Sequence, residues 1–526
     1  VTAEVALTVA FTGMGPEVLC THGGISVETG AGQTARLLGL NGADASNVAQ
    51  WLASGAPGPA PSNQGFVAIL VDRSRRNVVA ACGARTELSL AYTRDANRLV
   101  LATGLPALLA HLSWRPQVDV GYVVDSFTAV GSARRALDVA SPLAGVRRIP
   151  YGHLATITED DVALSRWFRP SFPDSSVNTV ARMREAIGLA VADSLPDSPI
   201  AVAMSGGLDS TTVAALAATS GRPVVGLCHV PVEGTPAPPG RRDLGDWHRA
   251  VATADHVPGL RAEPVINDAG VTMLDVLPAA FEETLSPVFN PASLVWFRLL
   301  SARAQSLGAS VLLVGQQGNL TFSGPPAALL HRGRPWPRAK PVDRWTPAGI
   351  RSYTARRGVR ETLKPAMDRL MVAGPPLPFS LPAYTPGLRM LDPLSDPRVA
   401  TVALQTPRDQ WTAGGLTRSV ARRATIGLLP DAVRLHRGRG SQGADTAIHR
   451  RARQSEFRRA VQTVAESSLA TSIVDTAVLS RSLTAKPEAA NWDSAFGRVL
   501  GLGLYLAWAQ GSLAAARPTC RSNGLT

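Results

Sequence analysis

Lysine is almost missing from this chain. Lys340, Lys364 and Lys486 are the only three in 526 residues, so nearly all of the 53 basic residues are arginine. None of the three follows a glycine run, which excludes a phosphate loop of the Walker type. Cysteine is equally scarce. Cys20, Cys82, Cys228 and Cys520 are scattered without a C-x-x-C pair, so neither a zinc site nor a disulfide framework is indicated. No basic segment followed by an apolar run opens the chain, where Glu4 stands, so no secretory signal is read. The longest uncharged stretch, Val499 to Ala516, carries Gln510, Ser512 and three glycines. It reads as a buried C-terminal helix rather than a membrane span. A cytoplasmic location is the expectation.

The length implies more than one domain, and 45% hydrophobic residues supports ordinary buried cores. The net charge of +13 raises nucleic acid as a partner. The arginines, however, are spread along the chain, at Arg73-Arg75-Arg76, Arg147-Arg148, Arg241-Arg242 and Arg422-Arg423. Only His449-Arg450-Arg451-Ala452-Arg453 with Arg458-Arg459 is dense, and no aromatics alternate there to stack bases. That patch is read as a solvated helix face, with docking of an acidic peptide as the alternative. Neither a nucleic acid nor a membrane partner is expected.

The densest chemical signal is Ser205-Gly206-Gly207-Leu208-Asp209-Ser210. An apolar run, Ile200 to Met204, precedes it, and a helical run, Thr211 to Ala218, follows. Strand, glycine turn and helix start together make an anion site. The glycines let the backbone approach closely, and the helix N-terminus offers unpaired N–H groups. Ser205 and Ser210 add hydroxyls. Asp209 is out of place beside a bare phosphate but suits one bridged by magnesium. A second strand-like run, Pro223 to Val230, follows at βαβ spacing.

Residues 1–170 read as a first unit of short antiparallel strands, among them Gly65 to Asp72, Asn77 to Ala81 and Arg98 to Ala102. Residues 171–526 read as a second unit in which strands alternate with helices, as a parallel α/β sheet requires. Pro- and Gly-rich segments at Pro231 to Gly245, Gly324 to Gly349 and Gly374 to Gly387 interrupt it. Breaks of this kind are active-site loops or plain surface.

The Ser205–Ser210 hexapeptide resembles the SGGxDS loop of the ATP pyrophosphatases, which split ATP into AMP and pyrophosphate. Nearly the whole chain, laid end to end, resembles the asparagine synthetase superfamily. Val146 to Leu154 is similar to the "RRLPPGH" close of its glutaminase domain. Val311-Leu312-Leu313-Val314-Gly315-Gln316-Gln317-Gly318-Asn319 is similar to its "LLSGxGGDE" loop. Gly387 to Asp396 falls on its "RxPFLD" segment, and Gly415 to Pro430 on its "GxxKxxLRxAxxxxLP" helix. The resemblance implies a degenerate glutaminase-like (Ntn-type) α+β first unit. It also implies an ATP-pyrophosphatase, or adenine nucleotide α-hydrolase-like, parallel-sheet second unit.

Departures from the pattern narrow the implication. Glutamine-dependent members begin with a cysteine nucleophile after Met removal. Here Val1 is read as a GTG-encoded start, Thr2 follows, and the first cysteine is Cys20. The first unit is therefore expected to be structural, and the amine not to be glutamine-derived ammonia. Asn319 replaces the family's acidic metal ligand. Arg439, or Arg437 if the register slips, replaces the family's catalytic lysine. The "GxxGNxTxSG" loop followed by "RGxQGAD" resembles the lasso peptide cyclase branch. That branch adenylates an Asp or Glu side chain of a precursor peptide with ATP and Mg2+. The peptide's α-amine then closes a macrolactam, releasing AMP.

On this resemblance Ser205, Gly206, Gly207, Leu208, Asp209, Ser210, Gly315 and Gly318 bind the nucleotide. The strand ending at His229 flanks the adenine, and Asp209 with Asn319 holds magnesium. The implied partners are the core peptide, a leader peptidase and a leader-recognition protein. Asp243 or Asp246 is read as a metal or substrate aid, or else a helix cap. Glu282 and Glu283 are base candidates by position only, or a surface pair. The alternatives are a β-lactam synthetase, an ammonia-dependent asparagine synthetase, a tRNA-modifying pyrophosphatase and a nucleotide-binding pseudoenzyme.

Overall fold

The computed structural model describes residues 5–127, 139–168, 178–235, 246–324, 384–484 and 492–515, apart from 13, 31–32, 41, 57, 59, 63–64, 85–87, 96–97, 320, 386, 439 and 441–442. Among the described residues the first unit holds eleven strands: β1 Ala6–Thr12, β2 Gly15–His22, β3 Ile25–Gly30, β4 Gln33–Leu38, β5 Val67–Asp72, β6 Asn77–Cys82, β7 Leu90–Asp95, β8 Arg98–Thr103, β9 Arg147–Ile149, β10 His153–Ile157 and β11 Val162–Arg166. They form two antiparallel sheets, ordered β2-β1-β8-β7-β9 and β11-β10-β6-β5-β4-β3.

Alternation decides how these sheets stack. In β1, Leu7 and Val9 point into a core shared with Ile69, Val71, Val78 and Ala80 of the other sheet. Ala6 points to the opposite face. Leu70 and Ala68 turn outward onto the helix Gly42–Ala53, through Val48, Ala49 and Leu52. The period of two gives each sheet two buried faces.

The second unit is built on β12 Ile200–Ala203, β13 Val224–Val230, β14 Leu260–Ile266, β15 Val311–Leu313, β16 Tyr384–Thr385 and β17 Leu388–Leu391. Their order is β14-β13-β12-β15-β17-β16. The first five run parallel, and β16 pairs antiparallel at the edge. The parallel sheet expected from the sequence is present. Ile200, Val202 and Met204 face the helices Thr179–Ala192, Leu208–Ala218 and Pro397–Gln405. Ala201 and Ala203 face a second core with the helices Pro291–Ser306, Gln454–Glu466 and Trp492–Ala515.

The apolar C-terminal run is thus a helix packed against the helices Pro291–Ser306 and Gln454–Glu466, with Leu500, Leu502, Tyr505, Leu506 and Ala509 buried. Among the described residues no helix is long and apolar enough to cross a membrane. The same core takes in Ala6, Ala91, Val100 and Ala102 of the first unit, so the two units share one apolar interior. The boundary at residue 170 lies outside the described residues.

Candidate active site

The chain leaves β12 for β13 on one side and later returns to β15 on the other. The carboxyl ends of β12 and β15 therefore mark a topological switch point, where parallel sheets open a crevice. Both glycine-rich turns singled out in the sequence emerge there. After β12 comes Ser205–Gly207 and then the helix Leu208–Ala218. Gly206 has φ +65°, and a Cβ on it would collide with the Asp246 carbonyl oxygen. Gly207 is the extended N-cap, φ −87° and ψ 156°, and no side chain caps the helix there. The first-turn N–H groups are left for an outside acceptor.

The two serines first serve the loop itself. The Ser205 N–H donates to the Ser210 hydroxyl at 3.0 Å, and the two hydroxyl oxygens lie 3.0 Å apart. Arg249 adds a tether, donating through Nε to the Gly206 carbonyl at 3.2 Å and through Nη2 to Asp246 Oδ1 at 2.6 Å. Asp246 is therefore a buried brace of this loop rather than a solvated cap. Asp243 lies outside the described residues.

The second turn crosses the first. A Cβ on Gly315 would sit 3.0 Å from the Ser210 nitrogen, and one on Gly318 would sit 2.5 Å from Asp209 Cγ. A side chain at Gly318 would overlap Asp209, and one at Gly315 would press on the Asp209–Ser210 backbone. Asp392 holds this turn in place, accepting from the Gln317 N–H at 2.7 Å and the Leu394 N–H at 3.0 Å. The Thr321 hydroxyl donates to the Leu394 carbonyl at 2.6 Å. The Gly387–Asp396 segment is thus the prop of the Gly315–Asn319 turn.

Asp209 is buried, and its Oδ1 has no hydrogen-bond partner. Burial pushes its carboxyl above the usual range, opposed by the positive charge of Arg418, the Ser323 hydroxyl and the charge of Arg422. Arg418 reaches Asp209 Oδ2 at 3.5 Å and donates to Asn319 Oδ1 at 2.9 Å. The two expected metal ligands therefore share one guanidinium. A magnesium ion takes one or two protein oxygens and leaves the rest to phosphates and water. An orphaned carboxylate oxygen beside an amide oxygen fits that demand, and Asp209 with Asn319 would hold the ion. Among the described residues no cluster of three His, Cys, Asp or Glu side chains forms an all-protein metal cage.

Sequence reasoning gave no role to Arg418, although it lies in the Gly415–Pro430 segment. Its backbone is left-handed, φ 61°, at the start of the helix Ser419–Ala424. Buried Arg422 follows and ties that helix to the next loop. It donates to the carbonyls of Thr417 at 2.7 Å, His436 at 2.9 Å and Arg434. Burial lowers the Arg422 pKa, with the Arg418, Arg437 and Arg434 charges adding to it. Arg437 is exposed, and Arg439 lies outside the described residues. Gly440, just beyond, packs against the Asp246 carboxylate, where a Cβ would overlap it.

His229, near the end of β13, turns its side chain into a small, partly open cavity beside the sheet. Met273, Val295, Trp296, Phe457 and Phe496 supply apolar wall. Asp445 and His449 are there too, and neither was expected. His449 belongs to the dense basic patch, which the structure divides. His449 and Arg450 are buried, with Arg450 over the Phe496 ring at 5.7 Å. Arg453 pairs with Asp275 and Glu456. Only Arg451, Arg458 and Arg459 form an exposed basic face. Glu282 is exposed, and half-buried Glu283 pairs with Arg298. Both lie at the far end of the helix Met273–Thr284, about 14 to 15 Å along it from Met273 on the cavity wall.

Residues 182–373 match the family model for asparagine synthase. Over 161 residues, 29% of this chain, the sequence is 28% identical to the glutamine-hydrolyzing asparagine synthetase 3 of Bacillus subtilis (strain 168), and the match spans 25% of that protein. Glutamine phosphoribosylpyrophosphate amidotransferase from B. subtilis, complexed with ADP and GMP, covers 38% of this chain with 54% of its own. Its identity is 10% and its TM-score 0.17, a likeness too low to build on. The family match begins in the helix before β12 and takes in both glycine turns. The asparagine synthetase superfamily is the grouping that these sequence matches support.

Proposed function

We propose that this chain is an ATP-dependent, AMP-forming amide ligase acting on a precursor peptide. It activates an Asp or Glu side chain and closes it onto the peptide's own α-amine, as lasso peptide cyclases do. The observation that carries this is Asp209. A buried carboxylate with one unpartnered oxygen, between two glycine turns at a sheet switch point, is costly unless a cation and phosphates complete it.

In this reading the N–H groups of the Gly206–Ser210 turn, with the Ser205 and Ser210 hydroxyls, hold the departing pyrophosphate. Asp209 and Asn319 hold magnesium, which when bound neutralises phosphate charge. Arg418 sits at the same spot to take up negative charge as the α–β bond breaks. The β13 end flanks the adenine through its backbone. Arg439 meets charge on the acyl-adenylate, with Arg437 as the alternative. The first unit is a scaffold. A leader peptidase and a leader-recognition protein deliver the core peptide.

ATP–pyrophosphate exchange and product mass test this. A linear precursor peptide should stimulate exchange and appear as a product lighter by one water, with AMP released in equal amount. Asp209→Ala should abolish both. Exchange driven by aspartate, with asparagine formed from ammonia, would replace the peptide reading. No exchange with any carboxylate would leave a nucleotide-binding protein without ligase activity.

A further inference from the structure

The proposed reaction needs a group to deprotonate the attacking amine, and neither Glu282 nor Glu283 is placed for it. The cavity beside β13 holds a better arrangement. Asp445 Oδ2 lies 3.7 Å from His229 Nε2 and 3.6 Å from His449 Nε2. The three side chains are 3%, 4% and 11% exposed. Asp445 Oδ2, His229 Nδ1 and His449 Nε2 have no hydrogen-bond partner. An aspartate preceding a helix ordinarily caps it. Asp445 stands at the N-cap of the helix Thr446–Ala452 and makes no such bond, turning toward the two imidazoles instead. Three buried polar groups that decline local bonds are a marked cost to the free protein.

Placement joins this cluster to the nucleotide turn. The last paired residues of β12 and β13 are Ala203 and Leu227, two before Ser205 and His229, so both leave the same carboxyl end of the sheet on neighbouring strands. Asp246 also bears on both. Its carbonyl contacts Gly206, and its charge reaches His229.

We propose that Asp445, His229 and His449 form the amine site, in which the carboxylate receives the substrate's α-ammonium and the imidazoles take its protons. The inference rests on the amide-ligase reading and supplies its missing base. One N–H proton passes from the ammonium to His229. The freed lone pair attacks the acyl carbon, forming the C–N bond. The bond from acyl carbon to the AMP phosphate oxygen breaks, and AMP leaves with that electron pair. The second N–H proton passes to His449, the more exposed imidazole, and on to solvent.

Burial lowers the His229 pKa, opposed by Asp445 and aided by His449, with Asp246 again opposing. The ring is thus neutral and ready to accept a proton at neutral pH. Arg450 is the other charged group on the cavity wall.

Hydroxylamine separates the amine step from adenylation, because it is largely unprotonated at neutral pH and needs no base. With the linear peptide that drives exchange, Asp445→Asn and His449→Gln should slow ring closure about 100-fold or more relative to exchange and to hydroxamate formation. The residual closure of Asp445→Asn should switch on at lower pH, since the lost carboxylate had raised the His229 pKa. If closure, exchange and hydroxamate fall in one ratio, or none falls, the amine site is wrong while the ligase stands. Absence of peptide-dependent exchange in the unaltered protein overturns the ligase reading and this one with it.

Discussion

Two sets of buried carboxylates are treated in opposite ways. In the first unit Asp72 accepts from the Gln33 amide at 2.7 Å, the Ser74 hydroxyl at 2.6 Å and the Arg75 N–H at 3.0 Å. Asp95 accepts from the Ser113 N–H at 2.7 Å and its hydroxyl at 2.6 Å. In the second unit Asp209 and Asp445 each leave an oxygen without a partner. The Asp72 carboxyl is pushed up by burial, but the bonds from Ser74, Arg75 and Gln33 outweigh that and bring it below its ordinary range. The Asp209 carboxyl stays above its range. Saturated carboxylates hold a fold together. Unsaturated ones at a sheet's crevice are kept for something that arrives from outside.

The sharpest way to break this comparison is Asp209→Asn, which keeps shape and removes charge. Peptide-dependent exchange should fall about 1000-fold or more. Thermal unfolding of the unliganded protein should move up or stay level, because a buried charge is removed. A lower midpoint would make Asp209 a structural group like Asp95.

Gly318→Ala comes next. Its Cβ would meet Asp209 Cγ at 2.5 Å, so the turn must shift. A displacement of this size at a phosphate turn should cost about 100-fold in exchange, with far-ultraviolet circular dichroism unchanged. Full activity would mean that the two turns do not act together.

Asp95→Asn should do the reverse. Exchange per folded molecule stays at wild type, while urea unfolding loses about 2 kcal/mol for two bonds to a charged acceptor. Asp72→Asn gives the smallest effect and a pH signature. With a depressed folded pKa, Asp72 contributes stability that is full above the ordinary carboxylate pKa and lost as pH falls through the depressed one. Removing it should flatten the dependence of the urea midpoint between about pH 5 and pH 2. An unchanged slope would assign the acid sensitivity elsewhere.

Local signals carried much of this. Ser205–Ser210 was readable because its requirements are local: a strand, a turn with φ above zero, and an open helix start. The antiparallel and parallel regions were readable from apolar runs and their spacing. Arg418, Asp392, Asp445 and His449 were not. The first three act on partners far away in sequence, Arg418 on residues 209 and 319, Asp392 on 317, and Asp445 on 229, and His449 joins them through Asp445, four residues before it. Composition misled at one point. The run from His449 to Arg453 looks like one solvated face, yet helical turning sends His449 and Arg450 inward and Arg451 out.

The sequence by itself determined that a phosphate-type turn follows a strand, that no lysine follows its glycines, and that an amide stands at Asn319. Tertiary structure decided which groups meet there. Strand order put the β12 and β15 turns side by side, burial left Asp209 short of a partner, and the β13 end faced a carboxylate more than two hundred residues on. The physical reason is range. Backbone preference acts over a few residues, whereas charge and burial act through space and are settled only once the sheet is assembled.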